Sequence, residues 1–246
     1  MAKGTGLGDL LFIRGYDLSG DVGSIGSIST PSTILDVTGI NSSGHERIHS
    51  HTDGALTFNA FFNDATDQAH LTLRAKNSNN DTVVCWFHGS TIGNVAAGMN
   101  AKQTDFNYSR NADGGLEATI PCVANDFGLE YCRELTAGKR TDTVATNGAS
   151  LDGAAASTLG LSAWLHVFAF TGTSVTVAIQ ESSDDGGADP FAAVTGGAFT
   201  AATGITSQRI VTSLSQSVER YLRVVTTGTF SNAIFAVCAT RFPYDA

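Results

Sequence analysis

Residues 44–64 read GHERIHSHTDGALTFNAFFND, and two patterns compete inside them. The first is HERIH, a match to His-Glu-x-x-His, in which two histidines one helical turn apart hold zinc and the glutamate is general base to a metal-bound water. The second is the alternation Leu56, Phe58, Ala60, Phe62, the signature of a half-buried strand. The zinc reading needs a long helix with an apolar face to bury, yet residues 41–54 are polar apart from Ile48. Thr52 also stands where the extended zinc-protease motif requires glycine. The second reading is therefore preferred: an exposed polar loop over 41–54 feeding a strand over 55–62.

Upstream, Leu10-Leu11-Phe12-Ile13-Arg14 predicts a short strand, and residues 15–20 supply turn chemistry. The Ser/Gly-rich stretch 23–33 is expected to be a mobile loop, followed by a strand over 34–38. Downstream, Asp64 is placed to cap a short helix over 66–75 with Ala69 and Leu73 on one face. A turn is expected over 77–81. The continuous apolar run Val83-Val84-Cys85-Trp86-Phe87 suits a strand buried on both faces. Residues 93–98 read as a small-residue connection. A hairpin is predicted from 104–108 and 116–123 about Asn111-Ala112-Asp113-Gly114-Gly115, with Leu116, Ala118, Ile120 and Cys122 inward and Glu117 and Thr119 outward.

Residues 137–158 are rich in Gly, Ala, Ser, Thr and Asn without periodicity, which predicts a linker or an extended loop lying on another surface. Beyond them every segment reads as strand. Trp164, His166, Phe168 and Phe170 alternate with Leu165, Val167 and Ala169. A turn at 171–174 separates them from Val175, Val177 and Ile179, and further strands are expected over 209–214, 218–225 and 233–241. The fold class is mainly β: a β-sandwich with one short helix over 1–136, then a second β-sandwich or jelly-roll-like domain over 159–246.

Composition narrows function. The 246 residues include 27 Gly and 4 Pro and are 15% charged, which excludes a disordered tail or a coiled coil. No run of about 20 apolar residues could form a membrane helix. The N-terminal residues lack the basic-then-apolar order of a secretory signal, so synthesis in the cytoplasm is expected. Of the net charge of −9, residues 1–136 carry 8 basic and 15 acidic side chains, hence −7, and the remainder 6 and 8, hence −2. That balance argues against gripping nucleic acid.

The four cysteines, Cys85, Cys122, Cys132 and Cys238, share no CxxC spacing and read as free buried thiols. The acidic loop from Glu181 to Asp189 offers oxygen ligands to Ca²⁺ but lacks EF-hand spacing, and Asp-Asp-Gly-Gly favours a structural turn. Arg220, Tyr221 and Arg223 could stack on a sugar or base, or equally on a neighbouring side chain within the fold or between subunits. His166 reads as a core or edge histidine. No nucleophile elbow, P-loop or dinucleotide fingerprint occurs, and no catalytic residue, cofactor or metal ligand is assigned.

Five stretches carry a resemblance: GYDLSGDVGSIG (15–26), DVTGI followed by ERI (36–48), DGALTFNAFFND (53–64), LTAGKRTDT (135–143) and SVERYLRVVTTGTFSNAIFAV (217–237). The chain resembles the major tail (tail tube) proteins of long-tailed bacteriophages, especially those of actinobacterial hosts. The resemblance implies a tail-tube-like sandwich and hexameric rings stacked around a tape-measure protein, with tail-end proteins as further partners. Inner strands would join into a continuous barrel, which removes exposed sheet edges. Double-stranded DNA would pass an acidic channel without specific binding. No membrane and no enzymatic activity are implied, and the location is the virion tail after synthesis in the host cytoplasm. The 41–54 loop becomes an assembly element ordering as rings stack, with His45, Glu46, Arg47, His49, His51, Asp53 and Gly54 as its candidates. Arg220, Tyr221 and Arg223 become surface or interface candidates of a second domain that decorates the tube or adds inter-ring contacts. Two alternatives stay open: a carbohydrate-binding or adhesion module on the second half, and a zinc hydrolase through HERIH.

Overall fold

The computed structural model describes residues 5–75 and 80–241, which form antiparallel strands and one helix. The first half contributes β1 (Leu10–Ile13), β2 (Tyr16–Asp17), β3 (Val22–Ser29), β4 (Ser32–Asp36), β5 (Arg47–Thr52), β6 (Ala55–Phe61) and the helix α1 (Ala69–Arg74). It continues with β7 (Thr82–Phe87), β8 (Val95–Gln103), β9 (Asn107–Arg110), β10 (Leu116–Ala124) and β11 (Glu130–Glu134). The second half contributes β12 (Arg140–Asp142), β13 (Asn147–Asp152), β14 (Leu161–Ser182), β15 (Ala192–Ala198), β16 (Thr206–Val211) and β17 (Tyr221–Arg241).

Side chains alternate across a strand, so each strand can serve two cores. Leu56, Phe58 and Ala60 of β6 meet Ala118, Ile120 and Cys122 of β10, and α1 closes that core with Ala69 and Leu73. Leu11 and Ile13 of β1, Val84 of β7 and Met99 of β8 face the same core. The alternate residues Phe12, Cys85, Phe87 and Ala96 face the other way, onto Trp164, Ala236 and Cys238 of the second half. The odd residues of β14, Leu161 to Val167, then turn into a third core with Val177, Ile179, Leu222, Val224 and Phe235. The two halves thus share a dry wall. β11 stitches it by pairing with β8 on one side and β17 on the other.

Contacts across the wall are close. A Cβ on Gly98 would lie 2.6 Å from Trp164 Cδ2, so this glycine admits the indole. The Gly15 N–H donates to His166 Nδ1 at 3.1 Å. Arg209 Nη2 donates to Glu130 Oε2 at 2.9 Å, Ser162 Oγ donates to the same oxygen at 3.2 Å, and the guanidinium lies over Phe127. His166 is accordingly a core histidine. All four cysteines are free and buried, with Cys85 Sγ and Cys238 Sγ 4.0 Å apart.

Several expectations are corrected. The turn at 171–174 does not form, and the strands expected over 218–225 and 233–241 are one strand, because β14 and β17 pair along their whole length. Register shifts near Gly172 bend this ribbon so that its two arms enclose the third core. A Cβ at Gly172 would meet Phe230 Cα at 2.4 Å, and one at Gly228 would meet Ser174 O at 2.3 Å, so only glycine fits the bend.

Residues 93–98 are no mere connection but open β8, a central strand whose small side chains let layers approach. The 23–33 loop contains β3. Register shifts between Val22/Ser24 and Ile25/Ser27 insert a residue at each step, so its inward residues Val22, Ile25 and Ile28 recur every three and hide the alternation. Asp64 does not cap α1; Asp21 Oδ2 accepts from the Ala69 N–H at 2.9 Å instead. Leu116 is exposed rather than inward, whereas Ala118, Ile120 and Cys122 are buried as expected. Within 137–158, β12 and β13 both lie along β17. The turn expected over 77–81 falls largely outside the described residues.

Candidate assembly surface

β4 and β5 form a two-stranded ribbon that is hydrogen-bonded to no other described strand. The 41–54 stretch, expected to be loop throughout, supplies one of its strands because Arg47–Thr52 has an extended partner in Ser32–Asp36. Directly opposed residues share a face. Leu35 opposes Ile48, while Ile34 opposes His49 and Asp36 opposes Arg47. One face therefore centres on Leu35 and Ile48, and the other carries Ile34 among charged and imidazole groups.

The tip is tied by Asp36. Its Oδ1 accepts from the Thr38 N–H at 3.0 Å and from the Thr38 hydroxyl, and its Oδ2 meets His45 Nδ1 at 3.0 Å. The Thr38 donors, with the His45 ring beside them, hold the Asp36 carboxyl below its usual range. The Glu46 N–H donates to Thr38 Oγ1 at 2.9 Å and closes the end. The root is equally fixed. The Asp53 N–H donates to Pro31 O at 2.8 Å, and a Cβ on Gly54 would lie 2.2 Å from Leu129 N.

His45, Glu46, Arg47, His49 and His51 thus stand together on the exposed ribbon, whereas Asp53 and Gly54 anchor it. In HERIH the residues from Arg47 to His49 are strand, not helix. Along an extended chain four residues span about 13 Å, so His45 and His49 do not converge on one ion. Among the described residues no group of three His, Cys, Asp or Glu side chains could hold a metal ion.

The ribbon exposes large apolar side chains: Ile34 at 55%, Leu35 at 47%, Val37 at 48% and Ile48 at 51%, with Ile40 bare at its tip. A lone two-stranded ribbon is marginally stable in water. Covering each of Ile34, Leu35, Val37 and Ile48 would contribute on the order of 1 kcal/mol, because they are already about half covered. Exposed apolar side chains gathered on one small element are uncommon on a protein surface.

Beside the ribbon root lies the layer β3–β6–β10–β9, where β3 and β9 each leave an edge unpaired among the described strands. Its outward face is a ladder of amides and hydroxyls. Asn59 Nδ2 donates to Ser24 Oγ at 3.1 Å, and Thr119 Oγ1 donates to Asn59 Oδ1 at 2.8 Å. Sequence reasoning missed the β3 edge; the triplet spacing of Val22, Ile25 and Ile28 with Gly23 and Gly26 between them was the available signal.

Arg220, Tyr221 and Arg223 lie in the second half, apart from the ribbon. Arg220 forks onto Asp152 with both contacts at 2.6 Å and holds that carboxyl down to about 2. Arg223 donates to Gln180 Oε1 and covers the Phe191 ring at 4.1 Å. Arg220 lies over the Tyr221 ring at 4.9 Å, so both guanidiniums stack on aromatic rings within the fold. In the 181–189 loop, Asp184 accepts from the N–H groups of Gly187, Ala188 and Asp189, so its oxygens close a turn.

No protein-family model matches the chain, and no curated protein matches it. Among solved structures it is similar to a chain in the virion of a native gene transfer agent particle, with TM-score 0.41 and 13% identity over 52% of this chain and 98% of that one. A chain in the tail of an empty gene transfer agent particle, refined with C6 symmetry, gives TM-score 0.39 and 17% identity over 52% and 98%. The Dit protein of phage SPP1, described as a hub adsorption apparatus of Gram-positive-infecting phages, gives TM-score 0.32 and 10% identity over 94% and 98%. With scores this low, the functional reading rests on the chain's own residues and geometry.

Proposed function

We propose that the protein is a virion structural subunit of a phage tail, the tail tube protein, which assembles with copies of itself and has no enzymatic activity. The observation that carries this reading is the β4–β5 ribbon, a rooted and internally tied element whose apolar face is left about half exposed by the described residues. A second copy is the occupant that makes such a ribbon useful in a ring-stacking protein. The open edges of β3 and β9 support the same reading, since edge pairing between copies closes a sheet into a barrel.

In this arrangement the rings are hexameric and stack around a tape-measure protein. The hydroxyl and amide face of β6 and β10 lines the channel, where neutral side chains already bonded to one another offer phosphates little to grip. The excess of carboxylates in the first half adds repulsion, so DNA slides without specific binding. The second half rides on the outside. Tail-end proteins cap the tube, and the virion tail is its location after synthesis in the host cytoplasm.

Electron microscopy of the purified chain tests this directly. Rings or tubes with an axial channel are expected. Leu35→Asp combined with Ile48→Asp should abolish them while leaving the melting temperature of the subunit unchanged. A wild-type chain that stays monomeric at high concentration, with no tubes, would overturn the proposal.

A further inference from the structure

Residues 125–129, which join β10 to β11, lie between the root of the ribbon and the second half, and both sides hold them. On the ribbon side the approach is backbone to backbone. A Cβ on Gly54 would lie 2.2 Å from Leu129 N, and one on Gly128 would lie 2.8 Å from Asp53 O and 3.5 Å from Thr52 Cγ2, where β5 ends. The Ala124 N–H donates to Gly54 O at 2.7 Å and sets the register of that approach. No side chain fits at Gly54 or Gly128, so the ribbon root and this connection shift only together.

On the other side stands Arg209 of β16. Its guanidinium lies 4.3 Å from the centre of the Phe127 ring and 5.2 Å from that of Trp164. Its Nη2 donates to Glu130 Oε2 at 2.9 Å, and Ser162 Oγ, donating to the same oxygen at 3.2 Å, ties the group to β14. The Arg209 side chain is 9% exposed and that of Glu130 4%, so the cation sits where little water competes with an aromatic face. Phe127 differs from its neighbours: it is 47% exposed and is part of none of the three cores. Asp126 before it has φ 75°, a left-handed turn that is uncommon outside glycine, and Phe127 leaves that turn towards Arg209.

We propose that residues 125–129 are a strut through which the second half holds the β4–β5 ribbon in one orientation, with Phe127 as the positioning residue. A half-exposed ring outside every core contributes little to global stability. What its contact with Arg209 fixes is the place of the backbone beside it. Gly128 and Leu129 pass that placement to Asp53 and Gly54, and so to β5. The ribbon is hydrogen-bonded to no other described strand, so the strut decides whether it sways about its two covalent joints or stands still. The strut belongs to the single chain and does not depend on the tube reading.

Hydrogen–deuterium exchange of the full chain, read by mass spectrometry, tests it. In the wild type, the amides paired between β4 and β5 should exchange more slowly than those of an unstructured peptide. In Phe127→Ala they should exchange about tenfold faster, while the amides of β14 and β17 keep their wild-type rates. Arg209→Lys keeps the charge beside Glu130 but loses the flat face that stacks, and should speed the same amides. Phe127→Tyr keeps the ring face and should retain wild-type protection. Ribbon amides unprotected in the wild type, or exchanging alike in wild type and Phe127→Ala, overturn the proposal. So does faster exchange spread evenly through β14 and β17, which would make Phe127 a residue of general stability.

Discussion

The wall between the two halves and the β4–β5 ribbon are made of the same kind of strand, yet they sit at opposite ends of burial. In the wall, both faces of β1, β7 and the first part of β14 are covered, and Phe12, Cys85, Leu165 and Trp164 are at most 1% exposed. In the ribbon both faces are open, and Leu35 and Ile48 remain about half exposed. Apolar content alone therefore does not say where a strand lives. What separates the two is the number of neighbouring layers, and hence how much of an apolar side chain is left in water.

The largest expected effect comes from removing the cover of the wall. A chain cut to residues 159–246 leaves Trp164, Phe168, Ala236 and Cys238 without their partners Phe12, Phe87 and Cys132. It should aggregate or remain unfolded, which sedimentation and circular dichroism would show; a soluble, cooperatively melting fragment would make the halves independent. Next, Trp164→Ala in the full chain should cost about 3–5 kcal/mol in urea denaturation. Gly98→Ala, which pushes a Cβ into the same indole, should cost about 1–3 kcal/mol. Leu35→Ala in the ribbon should lie within about 0.5 kcal/mol of wild type, because the side chain is already about half exposed on a small surface element.

The wall also sets a pH slope. Neither carboxyl oxygen of Glu134 has a hydrogen-bond partner, and burial, outweighing the nearby Gly138 N–H, raises its pKa from 4.5 to about 8. His166 is pushed by burial from 6.5 down to about 3. Between 4.5 and 8 the folded chain keeps the Glu134 proton that the unfolded chain has lost, so this group makes stability fall as pH rises. Between 3 and 6.5 the unfolded chain binds a proton at His166 that the folded chain refuses, so stability rises with pH there. The two offset one another from 4.5 to 6.5, and from 6.5 to 8 only Glu134 of the pair still contributes a slope. Denaturation in that upper window should lose at most about 1.4 kcal/mol per pH unit. In Glu134→Gln the loss should vanish; a slope that persists would assign it to another group.

Much of the wall was legible. The run Val83 to Phe87 announced a strand covered on both sides, and β7 is one. The alternation Leu56, Phe58, Ala60 was equally plain, as was the hairpin turn at Asn111, where the amide donates to Gly115 O at 2.8 Å. β3 was not legible, because each bulge adds a residue and turns a period of two into a period of three. The bend at Gly172 was read as a turn, and the strand through Gly228 as two separate strands, for a related reason. Glycine signals that the chain departs from a flat strand, but not whether it reverses or folds its hydrogen-bonded partner along with it. At the candidate surface, residues 41–53 are exposed or half-buried as read, Gly54 is buried instead, and the error was to equate exposure with loop.

The local pattern alone determined that this chain is mainly β, that its thiols are buried, and that HERIH has no helix to stand on, since period and composition act over a few residues. Tertiary structure alone decided that the halves share a wall and that a polar stretch becomes a ribbon with one apolar face. Each of those depends on residues brought together from far apart in the chain, as Gly98 and Trp164 are, and the packing that joins them leaves no periodic trace in the sequence.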